Sequence, residues 1–353
     1  MQVSQLKKWL STHWVKLVVS IMVVVVTAGL VVAGLMLFLP QKQAAVVQPT
    51  VTKKTQTTVA TTQEVAKGPG LNLDTTKDYG NKYKTGILPV GDQHVTTDAP
   101  KQGYIYACST YFQNLQTSKA GASSRGPWFV NNDTEYDINQ KLQVQGTVAW
   151  DSSLSNVISA ATRTITTNDL PTHTTGIFPI GASDPAHAYD ANPNTISAQS
   201  LVFALAASPT YSETPQCMSG VVGVMLTGVQ LNNAFDAGGR DAGAWEIQDS
   251  CGGHPQQSGE YHYHSLSSCI KDVDVTTVIG FALDGFPITG PNVNATNILT
   301  TSDLDECHGI SSAIILDGKS VTMYHYVMTQ DFPYSVSCFR GTPISPPGQM
   351  SRP

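Results

Sequence analysis

The run Val278-Ile-Gly-Phe-Ala-Leu283 is stopped by Asp284-Gly285 and then by Pro287. A short apolar segment closed by turn formers reads as a buried strand, since a buried helix would run to about ten residues or more. Gly220-Val-Val-Gly-Val-Met-Leu-Thr227 and Ser320-Val-Thr-Met-Tyr-His-Tyr-Val-Met328 read the same way. Lys141–Trp150 alternates apolar and polar residues, as a half-buried strand does. Helical signals are scarce: Asn156–Thr162 and Arg240–Ser250 each suit a short helix. Many short strands with turns between them predict a mainly β domain with short helices.

Composition agrees. Of 353 residues only 13% are charged, about half the usual ~25%. That excludes a coiled coil and a basic nucleic-acid-binding face. Residues 1–70 hold seven Lys and one acid, Glu64, so the rest of the chain carries a net charge of −12. An acidic body disfavours a phosphate backbone, and no nucleic-acid partner is expected.

Leu17–Leu39 is uncharged throughout, long enough to span a bilayer core of about 30 Å. It exceeds the ~7–15 apolar residues of a signal peptide and lacks a clear small-x-small cleavage site. We expect a single-pass anchor at 17–39 behind a short cytoplasmic tail, 1–16. A Thr/Gln-rich stalk at 40–100, one large globular domain at 101–345 and a tail at 346–353 should follow. The short basic tail favours the cytoplasm, which places the domain on the extracytoplasmic side. All six cysteines lie after the span, where an oxidising exterior lets them pair. Six cysteines allow 15 pairings. Loop-closure entropy favours near neighbours, hence Cys251–Cys269 and Cys307–Cys338, leaving Cys108–Cys217.

Histidines concentrate in Cys251-Gly-Gly-His254-Pro-Gln-Gln-Ser-Gly-Glu260-Tyr-His262-Tyr-His264. On a strand spanning Glu260–Leu266, residues two apart share a face, so His262 and His264 would point the same way and Tyr261 and Tyr263 the other. Neutral imidazoles so placed suit a transition metal, zinc or copper. His254 and His325 are the candidate third ligands. His325 repeats the motif as Tyr324-His325-Tyr326, but on a strand it shares an apolar face with Val321, Met323 and Val327, as a core histidine would. Glu260 or Asp284 is the candidate general base for a metal-bound water. Against a catalytic role, Asp284 ends a strand where turn residues are common. The acids Asp236, Asp241, Glu246 and Asp249 lack EF-hand spacing, and Arg240 among them points to a structural ion pair. Walker, G-x-S-x-G and C-x-x-C motifs are absent.

Taken together, several ordered motifs resemble the YHYH domain family: Cys-Gly-Gly-His-Pro (251–255), Gly-Glu-Tyr-His-Tyr-His (259–264), Ile-Gly-Phe-Ala-Leu-Asp-Gly-Phe-Pro-Ile (279–288), Leu-Asp-Glu-Cys-His-Gly (304–309) and Tyr-His-Tyr (324–326). The resemblance runs from about Pro127 to Pro343. Thr289 stands where the family pattern leads us to expect Tyr. The family is exported or membrane-associated and has no assigned activity, so the resemblance implies an extracytoplasmic domain and supplies no reaction. Three functions compete: a metal-binding domain with hydrolase-type chemistry, a copper storage or sensing module, and a non-catalytic surface module for a glycan, peptide or small molecule.

Overall fold

The computed structural model describes residues 66–110 and 123–347. The expected anchor at 17–39, its flanking tail and most of the stalk lie outside them. Among the described residues no helix is long and apolar enough to cross a membrane.

The strands in chain order are β1 (Ile87–Pro89), β2 (Val95–Thr96), β3 (Ile105–Tyr106), β4 (Phe129–Val130), β5 (Glu135–Asp137), β6 (Leu154–Ser159), β7 (Thr162–Thr167), β8 (Leu201–Ala206), β9 (Val221–Met225), β10 (Gln230–Asn232), β11 (Gly253–Pro255), β12 (Tyr261–Tyr263), β13 (Val278–Ala282), β14 (Pro287–Thr289), β15 (Gly309–Leu316) and β16 (Lys319–Val327). Among the described residues one α-helical turn, α1, spans Ala242–Trp245. The protein is β-rich with few helices, as its sequence predicts.

A mixed sheet of eight strands runs in the order β11-β12-β10-β9-β13-β14-β16-β15. The apolar runs fill its middle: every residue of β9 is buried, and β13 pairs antiparallel with it. Gly223 is required there, because a Cβ would meet the carbonyl oxygen of Phe281 at 2.6 Å. The antiparallel sheet β6-β7-β8 contributes Ile165, Leu201, Phe203 and Leu205 to the same core as Val224, Phe281 and Ile288. A second core gathers Leu88, Trp128, Phe129, Tyr136, Val144, Ala244 and Ile247. It seats α1, and the Trp128 indole donates to the Ala244 carbonyl at 2.8 Å.

Three disulfides join Cys108–Cys217, Cys251–Cys269 and Cys307–Cys338, the pairing expected from loop closure.

Three local expectations are corrected. Asn156–Thr162 is not helical but the second half of β6 and its turn into β7. Its partner strand buries Arg163, which bonds Asp317 at 2.6 Å and Asn156 at 2.9 Å. Lys141–Trp150 forms no strand, only single bridges from Val144 to Asp249 and from Val148 to Thr175. Residues 66–100, assigned to the stalk, carry β1 and β2, and β1 pairs with β5. Pairing with a later strand orders that segment despite its weak local pattern.

Candidate metal centre

β11 and β12 form an antiparallel pair at one edge of the large sheet, with His254 directly opposite His262. β12 is shorter than the expected Glu260–Leu266 strand, but the two-residue alternation holds. His254, His262 and His264 converge, and their nearest ring nitrogens all lie within 4.8 Å of one another. Tyr261 and Tyr263 bond elsewhere: the Tyr261 hydroxyl donates to Asp249 at 2.9 Å, while that of Tyr263 meets Thr227 at 3.2 Å and also the His173 ring. Gly253 is needed beside Tyr261, since a Cβ would fall 2.3 Å from its ring.

A carboxylate stands beside two of these histidines. Glu246 follows α1, and its Oε2 lies 3.1 Å from His254 Nε2 and 3.2 Å from His264 Nε2. The short helix fixes it from several sides. The Asp241 side chain caps the turn, accepts the Tyr334 hydroxyl at 2.7 Å and the Gly91 amide at 2.8 Å. Sequence reading placed Glu246 in an acidic set with a structural ion pair. That pair exists, between Arg240 and Asp236, but Glu246 is apart from it. No spacing rule links Glu246 to the histidines, because packing of α1 brings them together.

Tautomers decide what the cluster can do. His264 Nδ1 bonds the Asn233 carbonyl, and His262 Nδ1 faces the Glu260 carbonyl at 3.4 Å. A carbonyl only accepts, so each Nδ1 carries the proton and each Nε2 presents a lone pair. Those two Nε2 atoms are 3.0 Å apart. Two bare lone pairs at that distance repel unless a cation or proton lies between them. Glu246 Oε2 and both nitrogens of His254 are buried with no hydrogen-bond partner, although the Glu246 contact is within ion-pair distance. Buried polar atoms are ordinarily satisfied.

Burial, reinforced by His254 and His264, holds His262 well below the usual imidazole pKa; burial also lowers His264. Burial opposes charge on His254 too, but the adjacent Glu246 carboxylate outweighs it and raises that pKa. Burial would raise Glu246, yet the facing histidines bring it well below the carboxylate range.

The other candidates lie elsewhere. His325 is in β16, separated from β12 by four strands, about 24 Å at the usual ~4.8 Å spacing. Its Nδ1 meets Thr289 Oγ1 at 2.9 Å and its Nε2 meets Ser312 Oγ at 2.8 Å, so it is a satisfied core histidine. Thr289, the departure from the family pattern, serves that contact. Glu260 accepts from Gln256 and Ser258. Asp284 accepts from the Tyr326 hydroxyl at 2.7 Å and the Gly341 amide at 2.9 Å. The carboxylate beside the histidines is therefore Glu246, not Glu260 or Asp284. His308 is buried and bonds Thr329. His173 comes near Cys251 and Cys269, but those sulfurs are joined as a disulfide and are not thiolate ligands.

Residues 202–299 match the family model described as YHYH protein. The match takes in β9 to β14 and the His254–His264 hairpin, while Tyr324-His325-Tyr326 falls beyond it. No curated protein and no solved structure matches the chain. His254, His262 and His264 could hold a metal ion.

Proposed function

We propose that the protein is a membrane-anchored, extracytoplasmic metal-binding protein in which His254, His262, His264 and Glu246 hold one divalent transition-metal ion. The observation that supports this most is the 3.0 Å approach of two Nε2 atoms whose Nδ1 partners both face carbonyl oxygens. Ligands about 2.0–2.1 Å from a tetrahedral zinc ion stand roughly 3.3 Å apart. The Glu246 oxygen stands at about that spacing from His254 and His264, which supports it as a fourth ligand. Three imidazoles and a carboxylate suit zinc or another divalent ion. Copper(I) prefers thiolate or thioether donors, so copper(I) storage fits this donor set less well. A closed four-ligand set favours holding or sensing a metal. Hydrolase-type chemistry requires a ligand position for water, and hence Glu246 released to act as base. Full-length protein purified in detergent and equilibrated with zinc should retain about one ion per chain after gel filtration. Retention of none would remove the reading.

The proposed orientation rests on the uncharged Leu17–Leu39 run and on three disulfides, which persist in oxidising compartments. Protease added to spheroplasts should digest the domain. Full protection in both intact cells and spheroplasts would reverse the assigned side.

A further inference from the structure

A cleft of about 440 Å³ opens beside α1, of the size that holds a small organic ligand. Leu142, Leu266, Ile270 and Val273 give it an apolar wall, and Lys141 and Gln248 place polar groups in its lining. Lys141 Nζ donates to the Gly243 carbonyl at 2.6 Å. An ammonium has three donors, so two remain. Among the described residues no carboxylate forms an ion pair with Lys141. Asp249 also lines the cleft, but its oxygens are engaged by the amides of Gly176 and Cys251 and by the Tyr261 hydroxyl. Gln248 is only 6% exposed, and its side-chain nitrogen has no hydrogen-bond partner. Its backbone is fixed, because its carbonyl accepts the Val144 amide at 3.0 Å. A half-buried ammonium with two spare donors and a buried amide without an acceptor both favour an acceptor in the cleft, and one bound anion would serve them together.

We propose that this cleft binds a small organic anion, a carboxylate on an apolar body, with Lys141 and Gln248 as the carboxylate donors and the apolar wall against the body. Burial lowers the Lys141 pKa to about 8, which leaves the side chain mostly charged at pH 7. The cleft also bears on the metal centre. Lys141 is tied to α1 at Gly243, and Glu246 follows the same turn. An anion in the cleft would therefore lie near the metal ligands, which names organic carboxylates as the class of molecule that centre would meet. That last step rests on the proposed metal site; binding in the cleft does not.

Calorimetric titration of the full chain with benzoate, and with neutral benzamide at the same ionic strength, tests the proposal. Each titration is run on chelator-treated and on zinc-equilibrated protein. Saturable one-to-one binding of benzoate in both forms is expected, with none for benzamide. Lys141→Met should weaken benzoate at least about tenfold, as loss of a charge-assisted hydrogen bond does, and Gln248→Leu by a smaller factor. Unchanged circular dichroism and zinc retention would show that each variant is folded. No saturable benzoate binding, equal binding of benzamide, or wild-type affinity in folded Lys141→Met would overturn the proposal. The wild-type comparison of benzoate with benzamide decides even if a variant fails to fold. Benzoate binding without zinc retention would sink the metal reading alone, and zinc retention without benzoate binding would sink this one alone.

Discussion

Alanine at both His262 and His264 is expected to reduce retained zinc from about one ion per chain to a trace. Loss of a partner that merely orients a ligand costs about 10–100-fold in affinity. Loss of two ligands should therefore exceed about a thousandfold. His325→Ala is the informative contrast. That residue repeats the Tyr-His-Tyr pattern but bonds Thr289 and Ser312 in β16, so its removal should lower stability and leave zinc retention intact. The pH dependence follows from the same geometry. His262 and His264, held low chiefly by burial, are already neutral at pH 7. His254 is raised by Glu246 despite burial and keeps its proton to a higher pH than a free imidazole, about 6.5. A metal must displace that proton where it is present, so binding near neutral pH should release a proton from His254, up to one per ion and more at lower pH. Affinity should fall as pH falls, with the decline beginning above the free-imidazole value and led by one group. Isothermal titration in two buffers of different ionisation enthalpy counts the protons. Unchanged zinc retention in the double variant would refute the site.

Which parts of this arrangement were legible beforehand follows from how local each signal is. β9, β13 and β16 are short apolar or alternating runs closed by turn residues, and such runs declare themselves. His262 and His264 share a face because strand alternation needs only two residues of context. The disulfides were legible because two of the loops are short, leaving one pair. Asn156–Thr162 misled because β6 is an edge strand whose residues after Leu154 are all exposed, so no alternation of buried and exposed positions marks it as a strand. The histidine at 325 misled in the opposite way: its local motif is right, but its strand sits across four intervening strands. Glu246 had no local signal. Its place depends on Trp128, Asp241 and Tyr334 gripping α1, contacts that join segments more than ninety residues apart. Lys141 was hidden for the same reason, its role depending on a carbonyl 102 positions away.

That dependence on remote contacts makes Asp249 the residue whose loss should damage fold and site together. Its Oδ1 accepts the Cys251 amide at 2.9 Å, its Oδ2 accepts the Gly176 amide at 3.0 Å, and the Tyr261 hydroxyl bonds the same carboxylate. It thus ties the turn that delivers His254 to the strand that delivers His262. Asp249→Ala would strand several buried donors at once, and each such donor costs about 1–3 kcal/mol. The expected loss of stability is about 4 kcal/mol or more, in the range that only a few mechanisms reach. Cys251–Cys269 still tethers the turn, so the chain should remain able to fold while the ring of His254 loses its register. Zinc affinity should then drop even where the protein stays folded. Asp249→Asn keeps one acceptor oxygen and should lie between the two in both respects. Urea denaturation of the metal-free and zinc-loaded forms reads each effect. If Asp249→Ala unfolds at the wild-type urea midpoint, these hydrogen bonds do not hold the β11 turn against β12.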